Sequence, residues 1–319
     1  MTIGIQEKGA EVRGPLLDQL ARLFAEWGAG ELALLRARFE AAISGFDAVA
    51  LQEFLERLRT TGADWGYYPP DPVARAVSRV GHSLVAAEGS SLDESGGLAA
   101  ARRAPVVFVG NHLSFIDANT VDFLLQRAGW QDVADKLTVL VGPKVYAEPI
   151  RRVASLCFGT IKMPQSTSRA SGEAVMSRRE TLRLAELTRE HVRARRAKGD
   201  HLLIFAEGSR SRTAAMQRTL AAVARYVVDP FVIIVPFAVW GTERMVPVDD
   251  ERAHRAPVHV RVGRALDSEL LFERGGRRRS LLADALGYLI ADLLPPEHRG
   301  CYAATEGDLA PARALADGF

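Results

Sequence analysis

The feature that most constrains the fold is an alternation of short apolar runs with helical segments after residue 100. The runs are rich in β-branched residues and end in glycine or polar residues, at 105–110, 137–142, 201–208, 231–241 and 258–263. Segments of helical character separate them, notably at 118–127, 170–198 and 278–294. Strands that alternate with helices predict an α/β fold, in which helices flank a mixed, mostly parallel sheet.

The first 95 residues follow a different pattern. Apolar residues recur at spacings of three and four between residues 15 and 59, which predicts helices. Pro69 and Pro70 interrupt this region, and another helix is expected from Pro72 to about Ala87. The stretch 88–97, rich in glycine and serine, is typical of a flexible linker. We therefore predict a small N-terminal helical module with its linker at 1–95 and a second domain at 96–319.

Composition narrows the class of protein. The 319 residues are 48% hydrophobic and 25% charged, with a net charge of +2, which fits a globular protein with a sizeable core and gives no sign of nucleic-acid binding. Positive charge is concentrated between residues 141 and 213, where 15 Lys and Arg residues face 7 Asp and Glu residues. This concentration of positive charge indicates a segment that binds anions. The alternative for most of its arginines is a long solvated helix with ion pairs one turn apart.

Several features concern location. Cys157 and Cys301 are far apart and lack metal-ligand spacing, so we expect reduced thiols and no metal site. The N-terminus has no apolar core of a signal peptide. The longest apolar run, 231–241, falls short of the roughly 20 residues that a membrane span requires. We expect a cytoplasmic protein whose contact with lipid, where it has one, is peripheral and at the inner face of the cell membrane.

The stretch "FVGNHLSFIDANT" at 108–120 carries an ionisable pair, His112 and Asp117, directly after a predicted strand. At a corner between a strand and a helix, Asp117 could fold back and hydrogen-bond one imidazole nitrogen, leaving the other as a base. Ser114 is a candidate N-cap of that helix. No nucleophile motif accompanies the pair, so it would activate a hydroxyl of the substrate. The alternative is a structural histidine at the end of a strand.

A second stretch, "LLIFAEGSRSRT" at 202–213, leaves a predicted buried strand and becomes polar. Gly208 allows a sharp turn and a close approach to a ligand. Arg210 and Arg212 offer forked donors that match phosphate oxygens. An anion site at the carboxyl end of a strand is the functional hypothesis, and a solvated surface turn is the alternative.

These two stretches together resemble the glycerolipid acyltransferase superfamily, which includes 1-acylglycerol-3-phosphate and glycerol-3-phosphate acyltransferases. The family motif N-H-x-S-x-x-D is matched by Asn111, His112, Ser114 and Asp117. The motif F-P-E-G-T-R-S is matched by Phe205, Glu207, Gly208, Arg210 and Ser211, whereas Ala206 and Ser209 replace its proline and threonine. Weaker counterparts of two further motifs contain Lys144, the Gly159–Ile161 element and Pro236. The resemblance covers about residues 100–245.

The resemblance implies an O-acyltransferase of phospholipid biosynthesis. His112 would be the general base and Asp117 its orienting partner, and no cofactor would be needed beyond acyl-CoA or acyl-carrier protein as co-substrate. The glycerol-phosphate acceptor would be bound by a second group of residues: Lys144, Glu207, Gly208, Ser209 and Arg210. The favoured acceptor is 1-acylglycerol-3-phosphate (lysophosphatidic acid), and peripheral contact with an anionic membrane is expected.

Four alternatives stay open at this stage. The acceptor could be glycerol-3-phosphate, or another lysolipid. A non-catalytic protein that binds lipid or acyl-carrier protein is the alternative of a different class. The predicted helix at 278–294 could dock on a bilayer, although packing against the sheet is favoured.

Overall fold

The computed structural model describes residues 3–164, 176–228 and 232–319, with side chains from Val12 onward. Within these residues nine strands form one sheet, in the order β1-β5-β4-β6-β3-β7-β8-β2, with β9 pairing with β7. The strands are β1 Tyr67–Tyr68, β2 Ser91–Glu94, β3 Val106–Gly110, β4 Leu137–Val141, β5 Gly159–Lys162, β6 His201–Phe205, β7 Ile233–Trp240, β8 His259–Val262 and β9 Leu266–Asp267.

The sheet is mixed and mostly parallel, as the sequence predicts. The pairs β1–β5, β7–β8 and β7–β9 are antiparallel. The remaining pairs, β2–β8, β3–β6, β3–β7, β4–β5 and β4–β6, are parallel. Strand β3 therefore lies inside the sheet with a parallel neighbour on each side, and its carboxyl end is adjacent to that of β6.

Helices flank the sheet. They are α1 Ile3–Trp27, α2 Leu32–Ile43, α3 Ala48–Thr60, α4 Pro72–Val85, α5 Gly97–Arg103, α6 Asp117–Arg127, α7 Gln131–Ala134, α8 Pro149–Ser155, α9 Arg178–Ala197, α10 Ala224–Val227, α11 Thr242–Met245, α12 Ser268–Gly275, α13 Arg279–Ala291 and α14 Ala310–Ala316. The predicted helix at 170–198 corresponds to α9, and its first residues, up to 175, lie outside the described residues. No helix in the described ranges has the length and apolar character needed to cross a bilayer.

Two apolar clusters cover the two faces of the sheet. Val106 and Phe108 of β3 belong to one cluster, and Val107 and Val109 belong to the other, as alternation along a strand requires. Helices α1 to α4 contribute to the first cluster. Helix α13 contributes to the second and contacts β3 and β7, so this segment packs against the sheet as favoured.

The prediction of a flexible linker at 88–97 is wrong for residues 91–94. These residues form β2, which pairs with β8 in parallel, Ser91 opposite His259 and Glu94 opposite Val262. Leu92 packs against the first apolar cluster while Asp93 and Glu94 are exposed, which gives this edge strand a polar sequence. The boundary near residue 95 falls directly after β2 and stays a prediction.

Candidate active site

The loop after β3 is fixed to both neighbouring strands. Gly110 lies opposite Phe205 of β6 and Phe237 of β7. The side-chain amide of Asn111 donates to the carbonyl of Val239 and accepts from its amide, both at 2.8 Å. Asn111 therefore prolongs the pairing with β7 by one residue, and the next residue, His112, leaves the sheet at a defined point.

The predicted pairing of His112 with Asp117 is present in the structure. Nδ1 of His112 lies 2.8 Å from Oδ2 of Asp117, a carboxylate that is completely buried in the first turn of α6. The imidazole ring stacks on Phe205, with ring centroids 4.3 Å apart, and its side chain is 19% exposed. Because Nδ1 is held by the carboxylate, Nε2 is the nitrogen that can accept a proton from a ligand.

Asp117 is itself held by the surrounding backbone. Its Oδ2 accepts from the amides of Leu113 and Ser114, at 2.7 and 3.0 Å, and its Oδ1 accepts from the hydroxyl of Thr242 at 2.6 Å. Sequence analysis did not find Thr242, because 125 residues separate it from Asp117. These donors stabilise the ionised carboxylate in a buried position.

The prediction that Ser114 caps α6 is wrong. The residue before the helix is Ile116, which has no capping side chain. The hydroxyl of Ser114 instead donates to the carbonyl of Val246, at 3.1 Å. Since Asp117 already accepts from the amides of this turn, the serine is free to join the loop to the segment after α11.

Glu207 follows β6 and contacts the histidine loop. Its carboxylate is completely buried. It accepts from the backbone amide of His112 at 2.7 Å and from that of Gln217 at 2.8 Å. Glu207 therefore braces the histidine loop against the loop after β6, and its part in binding an acceptor stays a prediction.

The loop after β6 lies directly beside the histidine loop. The amide of Ser211 donates to the carbonyl of His112 at 2.8 Å. Gly208 has a φ of +66°, in the left-handed region that favours glycine, and is exposed. Ser209 is half-buried. This predicted anion loop and the predicted base thus meet at the carboxyl ends of β3 and β6.

Arg210 belongs to a cluster of charges that sequence analysis found only in part. Its Nη2 donates to Oε1 of Glu251 at 2.9 Å, and Arg151 of α8 bonds the other carboxylate oxygen. Both guanidinium groups lie over the ring of Phe115, at 5.8 Å for Arg210 and 5.0 Å for Arg151. Phe115 follows His112 by three residues, so the arginines lie close to the histidine loop.

Lys144 is not brought into this cluster. It is exposed in a 3-10 helix, Pro143–Tyr146, that follows β4. Since β4 runs parallel to β6, the lysine lies at the same edge of the sheet as the histidine loop. Among the described contacts, none joins its ammonium group to His112 or Arg210.

A small apolar pocket adjoins the same loop. Phe115 and Ile116 line it together with residues of three helices: Phe24 and Trp27 of α1, Ser78 and His82 of α4, and Ile150 and Ala154 of α8. Burial lowers the pKa of His82 from its usual 6.5 to about 4, so this histidine is neutral near pH 7. The pocket therefore has an uncharged lining contributed in part by the N-terminal helices.

Part of the chain matches a known protein family. Residues 94–240 match the model of the acyltransferase family, and this range contains His112, Asp117 and the whole loop from Glu207 to Arg210. The solved structures with a similar fold include a 1-acyl-sn-glycerophosphate (LPA) acyltransferase, PlsC, from Thermotoga maritima. That similarity has a TM-score of 0.45 and 15% identity, over 88% of this chain and 94% of that chain. No curated protein matches the sequence significantly.

Proposed function

We propose that this chain, an acyltransferase enzyme whose residues 94–240 match the model of the acyltransferase family, acylates a hydroxyl group of a glycerol-phosphate acceptor. The acyl donor is a thioester, acyl-CoA or acyl-carrier protein. The observation that carries the proposal is the bond between His112 and Asp117, because it orients a histidine base at the entrance of the predicted anion loop. No cofactor takes part in the proposed reaction.

The proposed reaction needs one proton transfer in each direction. Nε2 of His112 takes the proton of the acceptor hydroxyl, and the oxygen attacks the carbonyl carbon of the thioester. The tetrahedral intermediate collapses with breakage of the C–S bond, and His112 returns the proton to the leaving thiolate. Asp117 stabilises the imidazolium that exists between these steps.

The acceptor phosphate binds Arg210 in this proposal. A guanidinium group offers a fork of N–H donors that matches phosphate oxygens. Arg210 is tied to the base through its neighbour, since the amide of Ser211 donates to the carbonyl of His112. This connection supports the proposal that the phosphate binds close to the hydroxyl that reacts.

The acceptor that we favour is lysophosphatidic acid. Arg210 lies over the apolar ring of Phe115, and an acceptor that carries both a phosphate and an acyl chain can use the cation and the apolar surface beside it. Glycerol-3-phosphate is the second candidate and requires only the anion site. Because lysophosphatidic acid is a membrane lipid, the proposal includes peripheral contact of the protein with an anionic membrane. The positive charge of residues 141–213 supports this contact.

The first experiment measures release of free CoA by the purified protein. Acyl-CoA is supplied with lysophosphatidic acid, with glycerol-3-phosphate or with no acceptor, and His112→Gln is assayed in parallel. We expect acceptor-dependent release that falls at least about 10²-fold in the variant, with the same unfolding temperature in both proteins. Acyl-carrier protein replaces CoA in a second series.

The possible outcomes separate the candidates. Turnover with one acceptor identifies that acceptor. Absence of acceptor-dependent release with both donors and both acceptors would reject the glycerol-phosphate assignment, and a lysolipid without a terminal phosphate would then be tested.

A further inference from the structure

A single carboxylate bridges two arginines beside the histidine loop. Glu251 lies in the segment between α11 and β8, while Arg151 comes from α8 and Arg210 from the loop after β6. Each carboxylate oxygen accepts from a different arginine. The side chains of Arg151 and Arg210 are 16% and 23% exposed, whereas that of Glu251 is 38% exposed. The carboxylate therefore covers the two guanidinium groups from the solvent side.

The two arginines have more hydrogen-bonding capacity than Glu251 can use. A guanidinium group carries five N–H donors, and in the described structure the side chain of each arginine makes one hydrogen bond, to Glu251. Nη1 of Arg210 is buried without a hydrogen-bond partner. A phosphate monoester offers three terminal oxygens and up to two negative charges, against two oxygens and one charge for a carboxylate. The site would thus hold a phosphate with more hydrogen bonds than it holds Glu251.

The backbone at Glu251 is in a conformation that this residue type rarely adopts. Its φ is +55°, and in the described ranges the only other residue besides glycine with a positive φ is Ala214. The flanking segment is fixed, because the amide of Ala253 donates to the carbonyl of Trp27 and that of His254 donates to the carbonyl of Met245. Local strain in a well-anchored segment commonly marks a functional position.

From these observations we propose that Glu251 occupies the place of the acceptor's phosphate monoester, and that Arg151 is a second phosphate-binding residue beside Arg210. This inference rests on the proposed function and extends it. In the free enzyme Glu251 neutralises the half-buried guanidinium groups. The acceptor phosphate displaces its side chain and takes over both arginines, so the affinity for acceptor reflects competition with a tethered carboxylate.

The test of Glu251 compares Glu251→Gln with a matched variant. Glu251→Gln removes the charge and keeps the size of the side chain, and Asp249→Asn removes the same charge from an exposed residue of the same segment. We expect Glu251→Gln to lower the KM for the phosphate acceptor about fivefold, since a partly exposed ion pair is weakened. Asp249→Asn should leave this KM unchanged, and neither variant should change the KM for the acyl donor.

The test of Arg151 uses the same assay. Arg151→Gln should raise the KM for the acceptor at least about tenfold, because a charged hydrogen bond to phosphate is lost. The matched variant is Arg252→Gln, an exposed arginine next to Glu251 in sequence. In an Arg151→Gln background, Glu251→Gln should lower the KM for the acceptor by a smaller factor than it does in the wild type.

Binding of inorganic phosphate, measured by calorimetry, keeps this inference separate from the proposed function. Phosphate should bind Glu251→Gln more tightly than the wild type and Arg151→Gln more weakly, even if no acceptor is acylated. Equal affinity in all three proteins would overturn the inference. In the kinetic series, the acceptor whose KM changes in the Glu251→Gln and Arg151→Gln variants, lysophosphatidic acid or glycerol-3-phosphate, is the one whose phosphate displaces Glu251. An unchanged KM for both acceptors would also overturn the inference.

Discussion

At the scale of single residues, the carboxylate of Asp117 depends on a side chain from a distant part of the chain. The hydroxyl of Thr242 donates to Oδ1, while Oδ2 is shared by the imidazole of His112 and two backbone amides. Thr242 is completely buried, so no water can replace its hydroxyl without a rearrangement. Thr242 is therefore a positioning residue that acts on His112 through Asp117.

Replacement of Thr242 tests this dependence. Thr242→Val keeps the shape of the side chain and removes the donor, so we expect the free energy of unfolding to fall by about 1–3 kcal/mol. We expect kcat to fall about tenfold as the imidazolium is less well stabilised, with KM for both substrates nearly unchanged. Thr242→Ser keeps the hydroxyl and should retain most of kcat. Equal kcat values for the two variants would show that the bond to Asp117 does not affect the reaction.

At the scale of elements, the end of β3 sets where the histidine loop begins. Gly110 is packed under the ring of Phe237, and a Cβ atom there would lie 2.3 Å from the ring. The residue that follows, Asn111, is bonded to β7 through its side chain. Only glycine lets β7 approach β3 so closely immediately before the catalytic loop of the proposed mechanism.

Gly110→Ala tests this close approach. We expect the free energy of unfolding to fall by about 1–3 kcal/mol, as for overpacking of a core, and kcat to fall because His112 is displaced relative to Phe205. Gly45→Ala is the matched control, since nothing lies within 4 Å of a Cβ atom at that position. Urea unfolding and kcat of the two variants give the comparison. A Gly110→Ala protein as stable and active as Gly45→Ala would contradict the packing argument.

Sequence analysis predicted the elements whose signals are local. Strands β3, β4, β6, β7 and β8 appear as apolar runs, and the pairing of His112 with Asp117 lies within one corner. It missed the short strands β1, β2, β5 and β9, because their pairing partners, rather than their own composition, make them strands. Arg151, Thr242 and Glu251 were missed for the same reason: each joins the site through a contact about 40 to 125 residues away along the chain.

At the scale of the whole molecule, two buried histidines with lowered pKa values pack against aromatic rings of the first apolar cluster, His82 against Phe123 and His201 against Phe108. His82 of α4 is fully enclosed, and desolvation lowers its pKa from 6.5 to about 4. Desolvation, followed by the charge of Lys136, lowers the pKa of His201 at the start of β6 to about 4 as well. The unfolded chain therefore binds a proton at each histidine near pH 6.5, whereas the folded chain does so only near pH 4.

These shifts predict a loss of stability in mild acid. Between pH 6.5 and pH 4 the unfolded state binds more protons, so the free energy of unfolding falls as the pH falls, and the contribution is fully present above pH 6.5. For each histidine, the difference between the pKa of 6.5 in the unfolded chain and about 4 in the folded chain lowers the free energy of unfolding by about 2 kcal/mol from pH 7.5 to pH 5.

Urea unfolding at these two pH values measures the effect. His82→Gln and His201→Gln should each reduce, by about 2 kcal/mol, the difference between the free energies of unfolding at pH 7.5 and pH 5. Ser78→Ala is the control, since Ser78 lines the same pocket as His82 and does not titrate. We expect it to lower the free energy of unfolding by the same amount at both pH values. A wild-type pH dependence in both histidine variants would show that neither imidazole is held neutral by the fold.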